Sequence, residues 1–514
     1  VSRYPESFWS LVVERAAADP HHVVLADDYG RSLTRAQLRD RAESVAAALA
    51  AEGVGPGTVV SWQLPTTLEA MVLLVALSRL GAVQNPLVPI LREREVRFIT
   101  AQIGTEVLIV PERWRGFAFG EMARAIAADA GFRVRTVELE QPVKPDTLLL
   151  SEADPGTLSP PVADGAAVRW IYYSSGTTSD PKGARHSDQT IMHSASGLVD
   201  GIEFGPTDVY PIAWPVSHIG GATVLVASLV SGLRMVLFDG FDPARTPECM
   251  AAHRPTLLGT ALPFFRAFMD AQRRYDGEPL FPDVRCGMWG GAALPAEIHD
   301  EVLAELGLHC VGSWGLTEFP ISTSASPHDH PQVLRTSVGK ASPGVSIRVV
   351  GLDGVDRGIG EEGEFWLRGP QMCLGYVDPA LDRDGFVDGW FRTGDLGHVD
   401  EHGYVYITGR AKDVIIRNAE NISALEVEDA LRRHPGVSDV AVIGLPDPRT
   451  GERVCAVIVA NAGHQLDVAT LAQHCQALGL AKQKCPEQVE VVAELPHNPM
   501  GKVLKQALRD RYKA

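Results

Sequence analysis

The stretch Val168-Arg169-Trp170-Ile171-Tyr172-Tyr173-Ser174-Ser175-Gly176-Thr177-Thr178-Ser179-Asp180-Pro181-Lys182-Gly183 decides how this chain is read. Its first part is aromatic and β-branched enough to be a buried strand, and its second crowds hydroxyls, a glycine and a lysine into one short loop. A strand that runs into such a loop offers backbone N–H groups, side-chain donors and a positive charge to a polyphosphate. The loop is not the Walker pattern, which needs its lysine after the second glycine and a hydroxyl next; here Lys182 precedes Gly183 and Ala184 follows. A solvated Ser/Thr-rich surface loop is the bland alternative, and it accounts poorly for this density of donors directly behind a strand.

Around this point the chain alternates apolar runs with amphipathic helices. Thr34 and Gln37 form a capping-box pattern ahead of Leu38, Ala42, Val45, Ala46 and Leu49, with Gly53 as a stop. Thr66 and Glu69 repeat the pattern before an apolar helix that Gly81 closes. Short apolar runs at 58–63, 106–110 and 168–173 read as strands, and the alternation predicts an α/β body with largely parallel sheets. From about 338 to 409 the texture becomes short β-rich runs (346–350, 363–368, 403–408) broken by Gly and Asp, a small β-barrel-like subdomain. The last hundred residues predict a compact α+β module, with strands at 437–443, 453–459 and 488–492 and a helix around 468–478.

With 514 residues the chain can bury a large core, and a length of roughly 150 residues per domain suggests about three units. The net charge of −17 argues against a broad nucleic-acid or anionic-lipid surface. Residues 411–514 hold 13 basic and 13 acidic side chains, so the whole deficit belongs to the first 410. The seven cysteines show no CxxC and no ligand run with histidine, which predicts buried, reduced thiols and a cytoplasmic protein; no signal peptide is legible before Phe8. Residues 209–233 are uncharged for 25 positions, but Pro211, Pro215, His218, Gly220, Gly221 and Gly232 interrupt them, so a buried strand-loop-helix is expected and no transmembrane segment.

The loop 173–183 resembles the phosphate loop of the adenylate-forming superfamily, which includes acyl-CoA synthetases, peptide-synthetase adenylation domains and luciferases, and the resemblance continues in order along nearly the whole chain. Gly290-Gly291-Ala292-Ala293-Leu294 looks like the adenine-binding loop, and Ser313-Trp314-Gly315-Leu316-Thr317-Glu318 resembles the aromatic-Gly-x-Thr-Glu motif, with Trp314 where relatives more often have tyrosine. The resemblance implies that Trp314 stacks on adenine, Thr317 touches the α-phosphate, and Glu318 with Thr178 holds Mg²⁺, which favours carboxylate, hydroxyl and phosphate oxygens. Trp390-Phe391-Arg392-Thr393-Gly394-Asp395 and Gly409-Arg410 resemble the ribose clamp, in which Asp395 accepts the ribose hydroxyls and Arg410 donates. Lys412 falls at the family's hinge, and Asn498-Pro499-Met500-Gly501-Lys502 resembles the segment that carries the catalytic lysine.

The implied organisation is a large N-terminal domain over 1–410 (two α/β subdomains plus the β subdomain), a hinge at 411–413 and a small mobile domain over 414–514. The implied reaction uses ATP, Mg²⁺ and coenzyme A: a carboxylic acid becomes an acyl-AMP with release of pyrophosphate, then a thioester with release of AMP. Lys502, Thr178, Glu318 and Lys182 would be catalytic, with Ser174, Ser175, Gly176, Thr177, Gly291, Ala292, Ala293, Ser313, Trp314, Gly315, Thr317, Asp395 and Arg410 binding the nucleotide. Pro215-Val216-Ser217-His218-Ile219-Gly220-Gly221 resembles the Pro-x-x-His-x-x-Gly segment of acyl-CoA synthetases, where the histidine or a neighbour shapes the tunnel between acyl and thiol sites; an ordinary core histidine is the competing reading.

No aspartate occurs in 209–233 to pair a substrate ammonium, so a free amino acid is not expected. Asn418-Ala419-Glu420-Asn421-Ile422 stands where relatives commonly have Gly-Gly-Glu-Asn-Ile, and the methyl of Ala419 would narrow the pantetheine path beside Glu420. No carrier-protein motif is attached. The expected activity is therefore a carboxylic acid–CoA ligase for a short, medium, cyclic or aromatic acid. A stand-alone enzyme that loads a carrier protein and a non-enzymatic nucleotide-binding module remain as alternatives, and a homodimer is admitted by the resemblance.

Overall fold

The computed structural model describes residues 4–139, 148–174, 181–275, 278–290, 294–351, 353–417, 420–497 and 502–513. The stretch that opened the reading forms the strand Val168–Ser174, which pairs antiparallel with Lys182–Ser187 at the edge of a six-stranded sheet. The rest of that sheet is parallel: Val83–Pro86 pairs with Val168–Ser174, and Val59–Trp62, Val107–Pro111 and Arg133–Val137 follow outward. Residues 175–180 of the loop, together with Gly291, Ala292, Ala293, Asn418, Ala419 and 498–501, lie outside the described residues.

Helix Leu68–Leu80 shows why the body folds as layers: all thirteen residues are buried, as expected where a helix is apolar on every side. Its cap lies one residue beyond the expected one. Thr67 accepts the Ala70 N–H, while Thr66 Oγ1 donates to the Trp214 carbonyl at 2.7 Å and so ties this helix start to the segment before His218. Both residues can cap, and the tertiary bond takes Thr66. The other expected box is present in full at Thr34 and Gln37. A buried Arg31 bonds to Asp27 and Glu69, which satisfies both charges where neither meets water.

The uncharged run is the strand Val209–Ile212, a loop, and the helix Ile219–Ser231, closed by Gly232 at φ +86°. At thirteen residues this helix is short, and no helix among the described residues is long and apolar enough to cross a membrane. Val209–Ile212 joins Arg234–Leu237, Val23–Asp27 and Ser32–Thr34 in a second sheet, and a third sheet orders Leu257–Thr260, Cys286–Trp289, Cys310–Trp314, Thr323–Ser324 and Lys340–Ala341. None of the seven cysteines is in a disulfide, and six are buried.

The β-rich region forms the expected half-barrel. Ser346–Val350, Gly363–Arg368, Trp390–Val399 and Phe386–Val387 pair antiparallel, and Val405–Arg410 adds to Trp390–Val399. After the single turn Ala411–Asp413 the chain enters a separate sheet of Val414–Arg417, Glu420–Ser423, Val437–Asp447, Gly451–Ala460 and Gln488–Val492. This sheet has its own core, with Ile415, Val427, Leu431, Val440, Val454, Ile458 and Leu471 on one face and Leu445, Val457, Leu495 and Leu508 on the other.

Candidate active site

Trp314 ends the strand Cys310–Trp314, and the chain turns at Gly315, where a Cβ would stand 2.4 Å from the Ile321 nitrogen, so only glycine fits. The turn presents Thr317 and Glu318. His186, on the strand behind the phosphate loop, reaches the Thr317 carbonyl from Nε2 at 2.8 Å and Thr190 Oγ1 from Nδ1 at 3.0 Å. A carbonyl only accepts, so Nε2 carries the proton; burial pushes the imidazole down to about 4 and keeps it neutral. His186 thus fixes the backbone of the Thr317 turn, and no motif in the sequence pointed to it.

Asp395 is 2 % exposed and held at both oxygens: Trp314 Nε1 donates to Oδ2 at 2.9 Å, and Arg410 Nε stands 2.8 Å from Oδ1. The register explains the second contact, since Asp395 and Arg410 are direct partners across antiparallel strands. Thr393 Oγ1 accepts the Asp395 N–H and donates to the Phe365 carbonyl, which fixes the strand that carries the carboxylate. Trp314 also packs on Phe365, with ring centroids 5.2 Å apart. The indole N–H donated to Asp395 depends on tryptophan at this position.

Lys502 comes from the small module into this same region. Next to it, Val503 forms a bridge with His497, and the Leu504 N–H donates to the Pro496 carbonyl at 2.8 Å. Burial, then the nearby Arg410 and Lys412 cations against the pull of Asp395 and Asp413, lowers the Lys502 ammonium to about 8. Lys412 is likewise lowered, by burial first and then by Arg410. Asp413 bonds to Arg509 at 2.7 Å, and Lys505 to the buried Glu428 at 2.8 Å, so the helix Lys505–Tyr512 that follows Lys502 is tied both to the turn and to the module's core. Arg433 to Glu297 at 3.2 Å and Ser423 Oγ to the Thr408 carbonyl at 2.8 Å are further contacts across the two bodies.

Glu318 is 8 % exposed and accepts the Tyr376 hydroxyl at Oε1, 2.7 Å away; Oε2 takes no hydrogen bond among the described residues. Lys182 Nζ lies 5.9 Å from the centre of the Tyr376 ring, and Ser174 Oγ reaches the Lys182 carbonyl at 3.5 Å. No group of three or more Asp, Glu, His or Cys able to hold a metal occurs among the described residues. One carboxylate with an open oxygen suits a cation that keeps water and phosphate in most of its positions, which is how Mg²⁺ is usually held. Thr178, the other expected ligand, is outside the described residues, as are Ser175, Gly176, Thr177, Ala419 and the side chain of Glu420.

His218 caps the helix Ile219–Ser231, with Nδ1 accepting the Gly220 N–H at 3.2 Å, and burial drives its imidazole down to about 4. It lines a small cavity with Tyr172, Ser217 and Thr317 against Pro86, Leu87 and Leu91. The Tyr172 hydroxyl and Ser217 Oγ are buried there without a hydrogen-bond partner among the described residues. Of the expected site residues, the structure brings Trp314, Asp395, Arg410, Lys412 and Lys502 into one cluster and Lys182 and Glu318 into another around Tyr376, while Thr317 and His218 share the cavity.

The family profile "AMP-binding enzyme" matches residues 12–377, and "AMP-binding enzyme C-terminal domain" matches 426–502. The chain is 33 % identical over 505 residues to the sulfoacetate–CoA ligase of Cupriavidus necator, covering 97 % of this chain and 96 % of that one. It is 34 % identical to the indoleacetate–CoA ligase of Aromatoleum aromaticum, covering 93 % of each. The crystal structure of ATP-bound MatB from Rhodopseudomonas palustris superposes with a TM-score of 0.89 at 30 % identity, covering 99 % of each chain. The chain therefore belongs to the AMP-binding enzymes of the adenylate-forming superfamily and stands among its AMP-forming acid–thiol ligases, which use ATP, Mg²⁺ and coenzyme A.

Proposed function

We propose that this enzyme is an ATP-dependent carboxylic acid–CoA ligase whose acid is short or medium in chain length, cyclic or aromatic, and carries no second charge. The observation that carries the ligase reading is the arrival of Lys502, from the small module, at the Asp395–Arg410 pair of the large body. In this reading Asp395 and Arg410 take the ribose, Trp314 lies against adenine, and Thr317 donates to the α-phosphate. Ser174, Lys182 and the loop residues Ser175 to Thr178 take the outer phosphates.

In the first half-reaction a carboxylate oxygen forms a bond to the α-phosphorus as the bond to the bridging oxygen of pyrophosphate breaks. Lys502 and Lys182 place positive charge where the phosphoryl oxygens gain negative charge, and the fixed turn at Thr317 keeps the reacting groups in line. Glu318 and Thr178 would hold Mg²⁺, which would neutralise charge on the triphosphate. In the second half-reaction the thiol sulfur bonds to the acyl carbon, the bond from that carbon to the AMP oxygen breaks, and the thiol proton leaves to solvent. The boundaries that fit this cycle are a large domain over 1–410, a hinge at 411–413 and a small domain over 414–514. The change of sheet and of core at Ala411–Asp413 supports them. Rotation there would withdraw Lys502 before the thiol enters.

The choice of acid rests on the cavity beside Thr317. Among the described residues no Lys, Arg, Asp or Glu lines it and burial keeps His218 neutral, so those residues offer no counter-charge to an ammonium or a second carboxylate. Pyrophosphate release over a panel of acids, acetate to octanoate, cyclohexanecarboxylate and phenylacetate, with malonate, sulfoacetate and glycine as charged comparators, tests the reading. The neutral-tailed acids should dominate kcat/KM; preference for malonate or sulfoacetate would overturn the assignment of the acid.

A further inference from the structure

We propose that Tyr376 is a positioning residue for adenylate formation, fixing through one side chain both the carboxylate of Glu318 and the ammonium of Lys182; this rests on the roles given to those two residues above. The segment around Tyr376 is docked on both sides. Leu374 N–H donates to the Arg185 carbonyl at 2.7 Å, Arg185 N–H to the Gly375 carbonyl at 2.9 Å and Val377 N–H to the Gly183 carbonyl at 2.8 Å, so the segment pairs as an extra strand on Lys182–Ser187. The Cys373 N–H donates to the Glu318 carbonyl at 2.9 Å, and the Tyr376 N–H to Asp382 Oδ1 at 2.8 Å.

With its backbone held this way, the buried ring has little freedom. Its hydroxyl occupies Glu318 Oε1 and leaves Oε2 without a hydrogen bond among the described residues, while the ring lies 5.9 Å from Lys182 Nζ, within reach of a cation–π contact. Gly183 completes the seam: a Cβ there would stand 2.7 Å from the Tyr173 ring and 2.9 Å from Val377 Cγ2, so the pairing can approach this closely only over glycine. A hydrogen bond to the free oxygen of a metal-binding carboxylate orients the other oxygen, and its loss commonly costs metal affinity about 10- to 100-fold. Tyrosine at this position therefore links the two ends of the phosphate-binding apparatus, the lysine after the loop and the carboxylate after the Thr317 turn.

The test uses the full-length enzyme with Mn²⁺ as the probe and α,β-methylene-ATP as a non-reacting nucleotide, and reads bound Mn²⁺ by electron paramagnetic resonance. Tyr376→Phe should weaken Mn²⁺ in the ternary complex about tenfold, leave the KM of the acid unchanged and leave thioester formation from supplied acyl-AMP unchanged. Glu318→Gln should weaken Mn²⁺ at least as much, and the double variant should be no weaker than Glu318→Gln alone, because the tyrosine acts through the glutamate. Wild-type Mn²⁺ affinity in Tyr376→Phe beside a weakened Glu318→Gln overturns the proposal. Wild-type affinity in Glu318→Gln overturns the reading of Glu318 beneath it, and the proposal with it. For the lysine, Tyr376→Leu removes the ring that Tyr376→Phe keeps, and should raise the KM for ATP severalfold beyond it; equal KM values overturn the link to Lys182. Should the leucine variant fail to fold, Tyr376→Met, which also lacks the ring, takes its place for the lysine, and the phenylalanine comparison decides the carboxylate.

Discussion

At the end of the site assigned to ribose, Asp395 is held at both oxygens by side chains of its own body, Trp314 and Arg410, whereas at the end assigned to phosphate Glu318 has one hydrogen-bonding partner among the described residues and an open oxygen. The first arrangement is built in advance: the carboxylate and its donors need no ligand to hold their places. The second is half built, and its remaining coordination suits a cation and phosphate oxygens. Lys502 joins the first end from the other body. It is carried in by the small module, and its ammonium is depressed by burial and by the cations already present. A bound triphosphate reverses that balance, so the lysine's charge is best satisfied when nucleotide is there.

Removing Lys502 breaks this comparison most severely. Lys502→Ala should slow adenylate formation about a thousandfold while thioester formation from supplied acyl-AMP changes by no more than a fewfold; stopped-flow assays of each half-reaction check this, and equal loss in both would contradict it. Asp395→Ala should raise the KM for ATP about a hundredfold, since charge-assisted hydrogen bonds to ribose and to Arg410 are lost together. Inhibition by tripolyphosphate, which engages only the other end, should stay near wild type, and a parallel loss would show that the two ends are not separately built.

The depressed lysine gives a pH signature. Lys502 is charged below about pH 8 and neutral above it in the enzyme without nucleotide, so kcat/KM for ATP should fall with an alkaline limb near 8. The limb in kcat should lie higher, because bound phosphate favours the charged form. Lys502→Arg keeps its charge throughout and should lose the limb. The smallest effect is expected at Arg433–Glu297, an exposed ion pair between the bodies. Arg433→Ala should change the adenylation rate by about twofold or less, in keeping with surface pairs worth about 1 kcal/mol or less.

Much of the fold was legible because local signals agreed with burial. The 346–350, 363–368 and 488–492 strands fall where the alternation placed them, and Gly81 and Gly53 mark helix ends as glycines with positive φ. The cap at Thr66 moved to Thr67 because Thr66 serves a bond to a residue 148 positions away, which no local window contains. The motif residues of the site were legible through resemblance. Their supports were not: His186, Tyr376 and Arg509 lie in stretches without a recognisable pattern and act through contacts made only when distant elements meet. The donation from Trp314 to Asp395 spans 81 residues and depends on an indole where a phenol was the commoner expectation.

The central claim is that one site makes an acyl-AMP and then passes the acyl group to coenzyme A. The most direct measurement follows products by chromatography after mixing the enzyme with ATP, Mg²⁺ and an accepted acid, with and without coenzyme A. Pyrophosphate and enzyme-bound acyl-AMP are expected without the thiol, and with it AMP and acyl-CoA in equal amounts and many turnovers. ADP as product, or an AMP yield that coenzyme A does not increase, would contradict it.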